Sequence, residues 1–373
     1  MTTAGTIVLA AGGTGGHVFP AQALAAALKD RSYHLALITD RRGGAVGALA
    51  SLETHRIRAG GIAGKSVGQR LYSAAELAWG AVQARRLLGR LKPAVVAGFG
   101  GYASLPTMAA AVLAGLPTLV HEQNAVLGRA NRLLATRVGR IATSFERSSG
   151  IPDGARARTV HTGMPVRPEI AAMRERAYPP LDGTGALRLL VLGGSQGATV
   201  LSKVVPAAIE RLPDQLRERL KITQQCRPAD LDQVRAAYAA LGIRAELATF
   251  FDDVPERLAS THLMIGRAGA STIAEVTTVG RPSILVPYPH AIDDHQTANA
   301  HAIDASGAGW MIPEPVFTPE HLAQRLESLA GMPALLIGAA ASARAFGRPD
   351  AAERLADAVV HLAATTSTQR RVA

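Results

Sequence analysis

A chain of 373 residues is longer than one ordinary hydrophobic core uses, so two domains are expected. Apolar residues make up 48% and aromatics only 4%, a core of Ala, Leu, Val and Ile, while 37 Gly and 21 Pro fit an α/β protein with many strand-to-helix loops. Cys226 is the single cysteine, which excludes an intramolecular disulfide and points to a reducing cytosol. The net charge of +11 calls for an anionic partner. No basic cluster interleaved with aromatics supports nucleic acid. An anionic membrane surface or a nucleotide substrate explains the charge better.

Met1–Gly5 carries no basic segment and runs straight into a strand, so no secretion signal is expected. Thr6–Ala11 is an apolar run of the buried parallel type. The glycine loop Gly12–His17 follows, then a helix from about Pro20 to Lys29, with Pro20 suited to a first turn. A strand at His34–Thr39, a helix near Gly44–Ser51 and a looser stretch at Ala59–Gln69 come next. Leu71–Leu91 has helical spacing in which Leu77, Trp79, Val82, Leu87 and Leu88 mix with Arg85, Arg86 and Arg90. Two accounts fit it: a crossover helix with snorkelling arginines, or an apolar and basic face for a membrane, extended by Arg132, Arg137 and Arg140. Pro93–Val120 contains no charged residue, but six Gly and Pro breakers divide it. It reads as strand (Ala94–Gly98), helix (Leu105–Ala114) and strand (Pro117–His121) rather than a membrane span. Strands at Gly139–Ala142 and near Thr159 complete the first domain.

The second half repeats the pattern. Leu187–Leu192 is a strand, Gly193–Gly197 a glycine loop and Ala198–Leu212 a helix. Strands follow at Leu220–Gln224, Ala245–Thr249, Leu263–Ile265 and Ser283–Pro287, with helices between them and at Pro319–Leu329 and Ala351–Leu362. Such alternation implies parallel sheets with helices on both faces.

The two glycine loops match neither GxGxxG nor GxxxxGK[ST], which disfavours a dinucleotide dehydrogenase or a P-loop NTPase. As a pair after two strands they favour phosphate recognition on backbone N–H groups. Gly193–Gly197 also satisfies GxSxG, so a serine hydrolase using Ser195 with Asp252, His262, His290 or His295 is an alternative, and a silent nucleotide-sugar-binding protein is another. The hydrolase elbow does not account for the matching loop at the N-terminus. His121-Glu122-Gln123-Asn124 closes a strand where ligands bind, but is not HExxH. His290, Asp293, Asp294 and His295 match no strong metal spacing, so a hydrogen-bonding loop is expected there.

Seven ordered blocks, Gly12–Pro20, Gly100-Gly101-Tyr102, His121–Asn124, Gly163–Arg167, Gly193–Ala198, Gly269–Glu275 and Asp294-His295-Gln296, together resemble the MurG family of GT-B glycosyltransferases over nearly the whole chain. The resemblance implies an α/β, GT-B fold: two Rossmann-like domains with parallel sheets facing a cleft. Residues 1–165 would be the acceptor and membrane-facing domain, with a final helix at 348–366 packing back on it. Residues 166–347 would bind UDP-GlcNAc, and 367–373 would be a flexible tail. It implies inverting transfer of N-acetylglucosamine from UDP-GlcNAc to lipid I, the undecaprenyl-linked muramyl-pentapeptide, on the cytoplasmic membrane face. An anionic membrane surface and other cell-wall synthesis proteins are implied partners; no nucleic acid is.

By similarity, Ser195 meets the diphosphate, Phe251 touches uracil through its backbone, and Glu275 holds the ribose. Ala270, Ser271, Thr272, Ile273 and Ala274 line the phosphates, and Gln296 reaches the sugar hydroxyls. Arg167 and Asn124 reach the donor from the first domain, and Thr14, Gly15, Gly16, Tyr102, Gln196 and Gly197 complete the binding set. Helix dipoles, N–H groups and Arg167 can stabilise the departing diphosphate, so no metal or cofactor is expected. The base that deprotonates the acceptor hydroxyl is expected to be His17, with Glu122 second.

Overall fold

In the computed structural model, residues 5–12, 15–29, 31–40, 49–60, 67–194 and 197–372 are described. The chain divides into two compact units, Met1–Arg167 with Asp350–Ala373, and Pro168–Pro349. The first holds strands β1 (Thr6–Ala10), β2 (His34–Asp40), β3 (Glu53–Ile57), β4 (Val95–Gly98), β5 (Thr118–Glu122), β6 (Arg140–Thr143) and β7 (Thr159–His161). They form one parallel sheet in the order β3-β2-β1-β4-β5-β6-β7. The second unit holds β8 (Leu187–Leu192), β9 (Leu220–Gln225), β10 (Glu246–Ala248), β11 (Leu263–Gly266), β12 (Ser283–Leu285) and β13 (Gly309–Met311). Its parallel order, β10-β9-β8-β11-β12-β13, repeats the same winding.

Alternation along β1 shows why the apolar runs are continuous. Ile7 and Leu9 enter one core with Leu24, while Val8 and Ala10 enter the other with Ile38, Val96 and Met108. Both faces of a strand wrapped in helices must be apolar. The uncharged Pro93–Val120 segment becomes β4, a helix at Gly101–Leu113, and β5. The last helix, Ala351–Val372, brings Leu355, Ala356, Val359 and Ala363 into the core around Ile7 and Leu9.

Several expectations are corrected. The first helix spans Gly15–Leu28, so Pro20 lies inside it and His17 sits in its first turn rather than in a loop. Strands β3 and β13 were not expected. The segment at Leu71–Leu91 begins earlier, at Val67, and the final helix continues to Val372 beyond the expected end at 366. The helix expected near Gly44–Ser51 falls mainly outside the described residues. Among the described residues, no single helix is long and apolar enough to cross a membrane.

Candidate active site

Open parallel sheets bind ligands beyond the carboxyl ends of their strands, where strand order reverses. In the first unit that point lies between β1 and β4. Gly12 follows β1, and a Cβ there would stand 2.7 Å from Thr39 Oγ1 and 2.8 Å from Ala103 Cβ. After β4, Gly100 and Gly101 take φ of +78° and +71°, a region that favours glycine. A Cβ on Gly101 would lie 3.2 Å from His17 Nε2, so the missing side chain makes room for that imidazole. Tyr102, half-buried, follows in the first turn of the Gly101–Leu113 helix, and Gly16 is half-buried beside His17.

The polar end of β5 packs behind His17. His17 Nδ1 is 3.2 Å from Gln123 Oε1. The Gln123 amide nitrogen donates to Phe99 O at 3.0 Å and His121 O at 3.1 Å. His121 is fully buried, with Nε2 3.1 Å from Gly163 O, and burial pulls its pKa down to about 4.

Glu122, the second expected base, is bonded on both carboxylate oxygens. It is 2% exposed. Its Oε1 accepts from the Asn124 N–H at 3.0 Å and Asn124 Nδ2 at 3.3 Å, and its Oε2 from the Gly128 N–H and Asn131 Nδ2, both at 2.8 Å. Four donors occupy the carboxylate, which braces the loop after β5 and orients Asn124. Arg167, at the end of the first unit, stacks 5.8 Å from the Phe19 ring centroid.

In the second unit the reversal lies between β8 and β11, whose register pairs Leu192 with Gly266. The loops after these two strands therefore open side by side. A Cβ on Gly193 would lie 2.6 Å from Ala198 N, and Gly197, at φ +68°, would put one 2.5 Å from Arg227 Cγ. The Gly197 N–H closes the loop onto Gly194 O at 3.0 Å. Thr14, Ser195 and Gln196 lie outside the described residues.

Beyond β11, Gly269 is the N-cap of the Ala270–Val279 helix and supplies no side chain to cap it. Ala270, Ser271, Thr272 and Ile273 form the first turn, whose N–H groups and dipole suit an anion, and Ala274 and Glu275 follow.

Two arginines not singled out from sequence organise this end. Arg257 lies 4.2 Å from the Phe251 ring centroid, held by both Glu246 oxygens and by Asp253 Oδ1, each at 2.6 Å. Arg267 donates to Val286 O and Pro287 O at 3.2 Å, pairs with Glu314 at 2.5 Å and lies 5.3 Å from the Tyr288 ring centroid. The first residue after β11 being an arginine was the available signal for Arg267. Gln296 Oε1 accepts the Tyr288 N–H at 3.0 Å, across a turn in which Asp293 and Asp294 take φ of 54° and 51°. The His290–Gln296 segment is thus a hydrogen-bonded loop. Among the described residues no cluster of His, Cys, Asp or Glu is arranged to hold a metal ion.

Of the histidines expected for a triad, His262 fits poorly. His262 is held on both ring nitrogens, by the Arg188 N–H at 2.9 Å and Pro180 O at 3.2 Å. Arg188 stands at the start of β8, the opposite end from the Gly193 loop.

Residues 7–143 match the glycosyltransferase family 28 N-terminal domain and residues 188–355 its C-terminal domain. Over 357 residues the chain is 61% identical to the UDP-N-acetylglucosamine–N-acetylmuramyl-(pentapeptide) pyrophosphoryl-undecaprenol N-acetylglucosamine transferase of Paramagnetospirillum magneticum, covering 95% of this chain and 96% of that one. The protein of the same name from Rhodospirillum centenum is 58% identical over 356 residues, covering 95% and 93%. The crystal structure of Acinetobacter baumannii MurG superposes with a TM-score of 0.77 at 30% identity, covering 96% of this chain and 99% of that one. These matches leave the serine-hydrolase alternative without support, and the sheets and matches together make the fold GT-B. The chain belongs to glycosyltransferase family 28, and within it to the MurG family of N-acetylglucosaminyltransferases.

Proposed function

We infer that the chain transfers N-acetylglucosamine from UDP-GlcNAc to undecaprenyl-linked muramyl-pentapeptide, lipid I, with inversion, yielding lipid II. The observation that carries this, beside the activity named for its relatives, is the uncapped N-terminus of the Ala270–Val279 helix opening beside the Gly193–Gly197 loop. Backbone donors gathered at one switch point suit a diphosphate. Charge accumulates on UDP as the anomeric bond stretches, and fixed dipoles stabilise it without reorganising. Ser195, Gln196, Gly197 and residues 270–274 serve the diphosphate, Glu275 the ribose, the Phe251 backbone the uracil and Gln296 the sugar. Thr14, Gly15, Gly16 and Tyr102 serve the acceptor, while Asn124 and Arg167 reach the donor.

His17 is the base. The acceptor oxygen bonds to the anomeric carbon from the face opposite UDP, the carbon–oxygen bond to UDP breaks, and the hydroxyl proton passes to the imidazole. Glu122, with four donors on its carboxylate, holds the loop instead.

The protein works as a peripheral enzyme at the plasma membrane, on its cytoplasmic face. The Val67–Leu91 helix supports this: Tyr72, Trp79 and Val82 are 63%, 49% and 42% exposed, near exposed Arg85, Arg86 and Arg90. Apolar side chains with flanking cations suit an anionic lipid surface.

Purified protein given UDP-GlcNAc should release UDP only when a lipid I analogue is present. Acceptor-independent release, or none with a competent acceptor, would overturn the assignment. His17→Ala should lower kcat at least about a hundredfold. Neutralising Arg85, Arg86 and Arg90 should weaken binding to anionic vesicles, and unchanged binding would remove that surface.

A further inference from the structure

His17 is joined to the interior of the first unit by a chain of groups, several of which can play only one part in a hydrogen bond. Gly163 O can only accept, so His121 Nε2, 3.1 Å away, carries the hydrogen. With its pKa near 4 the buried ring is neutral, and Nδ1 is bare.

The Gln123 side-chain atom 3.2 Å from that Nδ1 also lies 3.0 Å from Phe99 O and 3.1 Å from His121 O. Three acceptors around one atom require the amide nitrogen, which fixes the amide orientation by chemistry. Its other end, Oε1, then faces His17 Nδ1 at 3.2 Å. A carbonyl oxygen only accepts, so His17 Nδ1 carries the hydrogen and Nε2 keeps its lone pair.

We propose that His121 and Gln123 are positioning residues that hold His17 in the Nδ1–H tautomer, leaving Nε2 to take the acceptor's proton. This rests on His17 being the base. When Nε2 gains the hydroxyl proton, the imidazolium keeps the same Nδ1–H bond to Gln123 Oε1, so the relay need not rearrange during the reaction. Gly101, beside Nε2, leaves that edge of the ring uncrowded. Orienting a catalytic imidazole through its second nitrogen is a general device; here a neutral amide, itself fixed by a buried histidine, does it.

The test is long-range proton–nitrogen correlation NMR on the full chain labelled with nitrogen-15 histidine, above neutral pH, with His17→Ala and His121→Phe used for assignment. Expected are a protonated Nδ1 and bare Nε2 in His17, and the reverse in His121. A protonated Nε2 on His17 overturns the proposal in the wild-type protein, whatever the variants do. Gln123→Met removes the acceptor and should mix the His17 tautomers and lower kcat roughly tenfold, with the KM for UDP-GlcNAc unchanged. A Gln123→Met enzyme within twofold of wild type also overturns the proposal. Should the tautomers be as expected while His17→Ala retains turnover, the base assignment falls and the tautomer assignment stands.

Discussion

Arg31 reaches across 322 residues of sequence to Glu353, with its Nη2 2.5 Å from the carboxylate, and also pairs with Asp357 on the same helix. This clamp ties the Ala351–Val372 helix to the end of the first one, but the partners are largely exposed, and such pairs contribute little. The attachment lies beneath it, in Leu355, Ala356 and Val359, each 0% exposed. Leu355→Ala should therefore destabilise the first unit by about 2–5 kcal/mol, and Arg31→Ala by less than about 1 kcal/mol. Urea unfolding measures both; equal losses would give the ion pairs as large a share in the attachment as the apolar face.

Glu122 receives four N–H groups from Asn124, Gly128 and Asn131. Glu122→Gln turns an amide NH2 toward some of these donors and leaves them unpaired in a buried site. We expect a loss of roughly 2–4 kcal/mol in chemical denaturation, since each unsatisfied buried donor costs about 1–3 kcal/mol. A variant of wild-type stability with abolished kcat would instead return Glu122 to the role of base.

What the sequence made legible follows burial. Strand β8 after Arg188, β4, and β5 up to Val120 are buried and almost wholly apolar, so their runs are continuous and need no tertiary knowledge. Strand β3, Glu53-Thr54-His55-Arg56-Ile57, lies at the sheet edge and buries only Ile57, so it carried no apolar pattern. Strand β13, three residues at the opposite sheet's edge, was too short to register. The early start of the first helix was hidden because Gly15 and Gly16 are poor helix formers, while Pro20 looked like a natural first-turn residue. Within the site, the residue types at the strand ends were readable, but their partners were not. Only folding brings Gln123 to His17, Gly128 to Glu122, Glu246 to Arg257 and Glu314 to Arg267.

His121 makes stability depend on pH. Its folded pKa, about 4, lies below the ordinary value of 6.5, so the unfolded chain binds more protons between these values. Stability attributable to this group is intact above pH 6.5 and is lost as pH falls toward 4, by roughly 3 kcal/mol in all. His262, also lowered by burial, acts in the same direction. His121→Phe will be less stable near neutrality, but its unfolding free energy should fall less steeply over that window. Parallel pH profiles for the two proteins would mean that His121 takes up its proton as readily in the folded chain as in the unfolded one.

Gly197 and Gly194 separate two ways in which a glycine loop can matter. Both have positive φ, +68° and +77°. An added Cβ at Gly194 meets nothing within 4 Å, whereas at Gly197 it would strike Arg227 Cγ at 2.5 Å. Arg227 is anchored beyond that point, its Nη1 2.9 Å from Thr199 Oγ1, which in turn donates to Asp230 at 3.1 Å. The stem cannot swing aside without releasing the start of the following helix. Gly194→Ala thus carries only the backbone cost, about 1–2 kcal/mol, while Gly197→Ala adds displacement of the loop that is to meet the diphosphate. The KM for UDP-GlcNAc should rise roughly tenfold or more in Gly197→Ala and less in Gly194→Ala, and kcat should fall as well, because the same loop is to stabilise the charge that builds on the diphosphate as the bond breaks. Equal increases would mean backbone conformation alone sets the loop. An unchanged KM in both would move the nucleotide away from it.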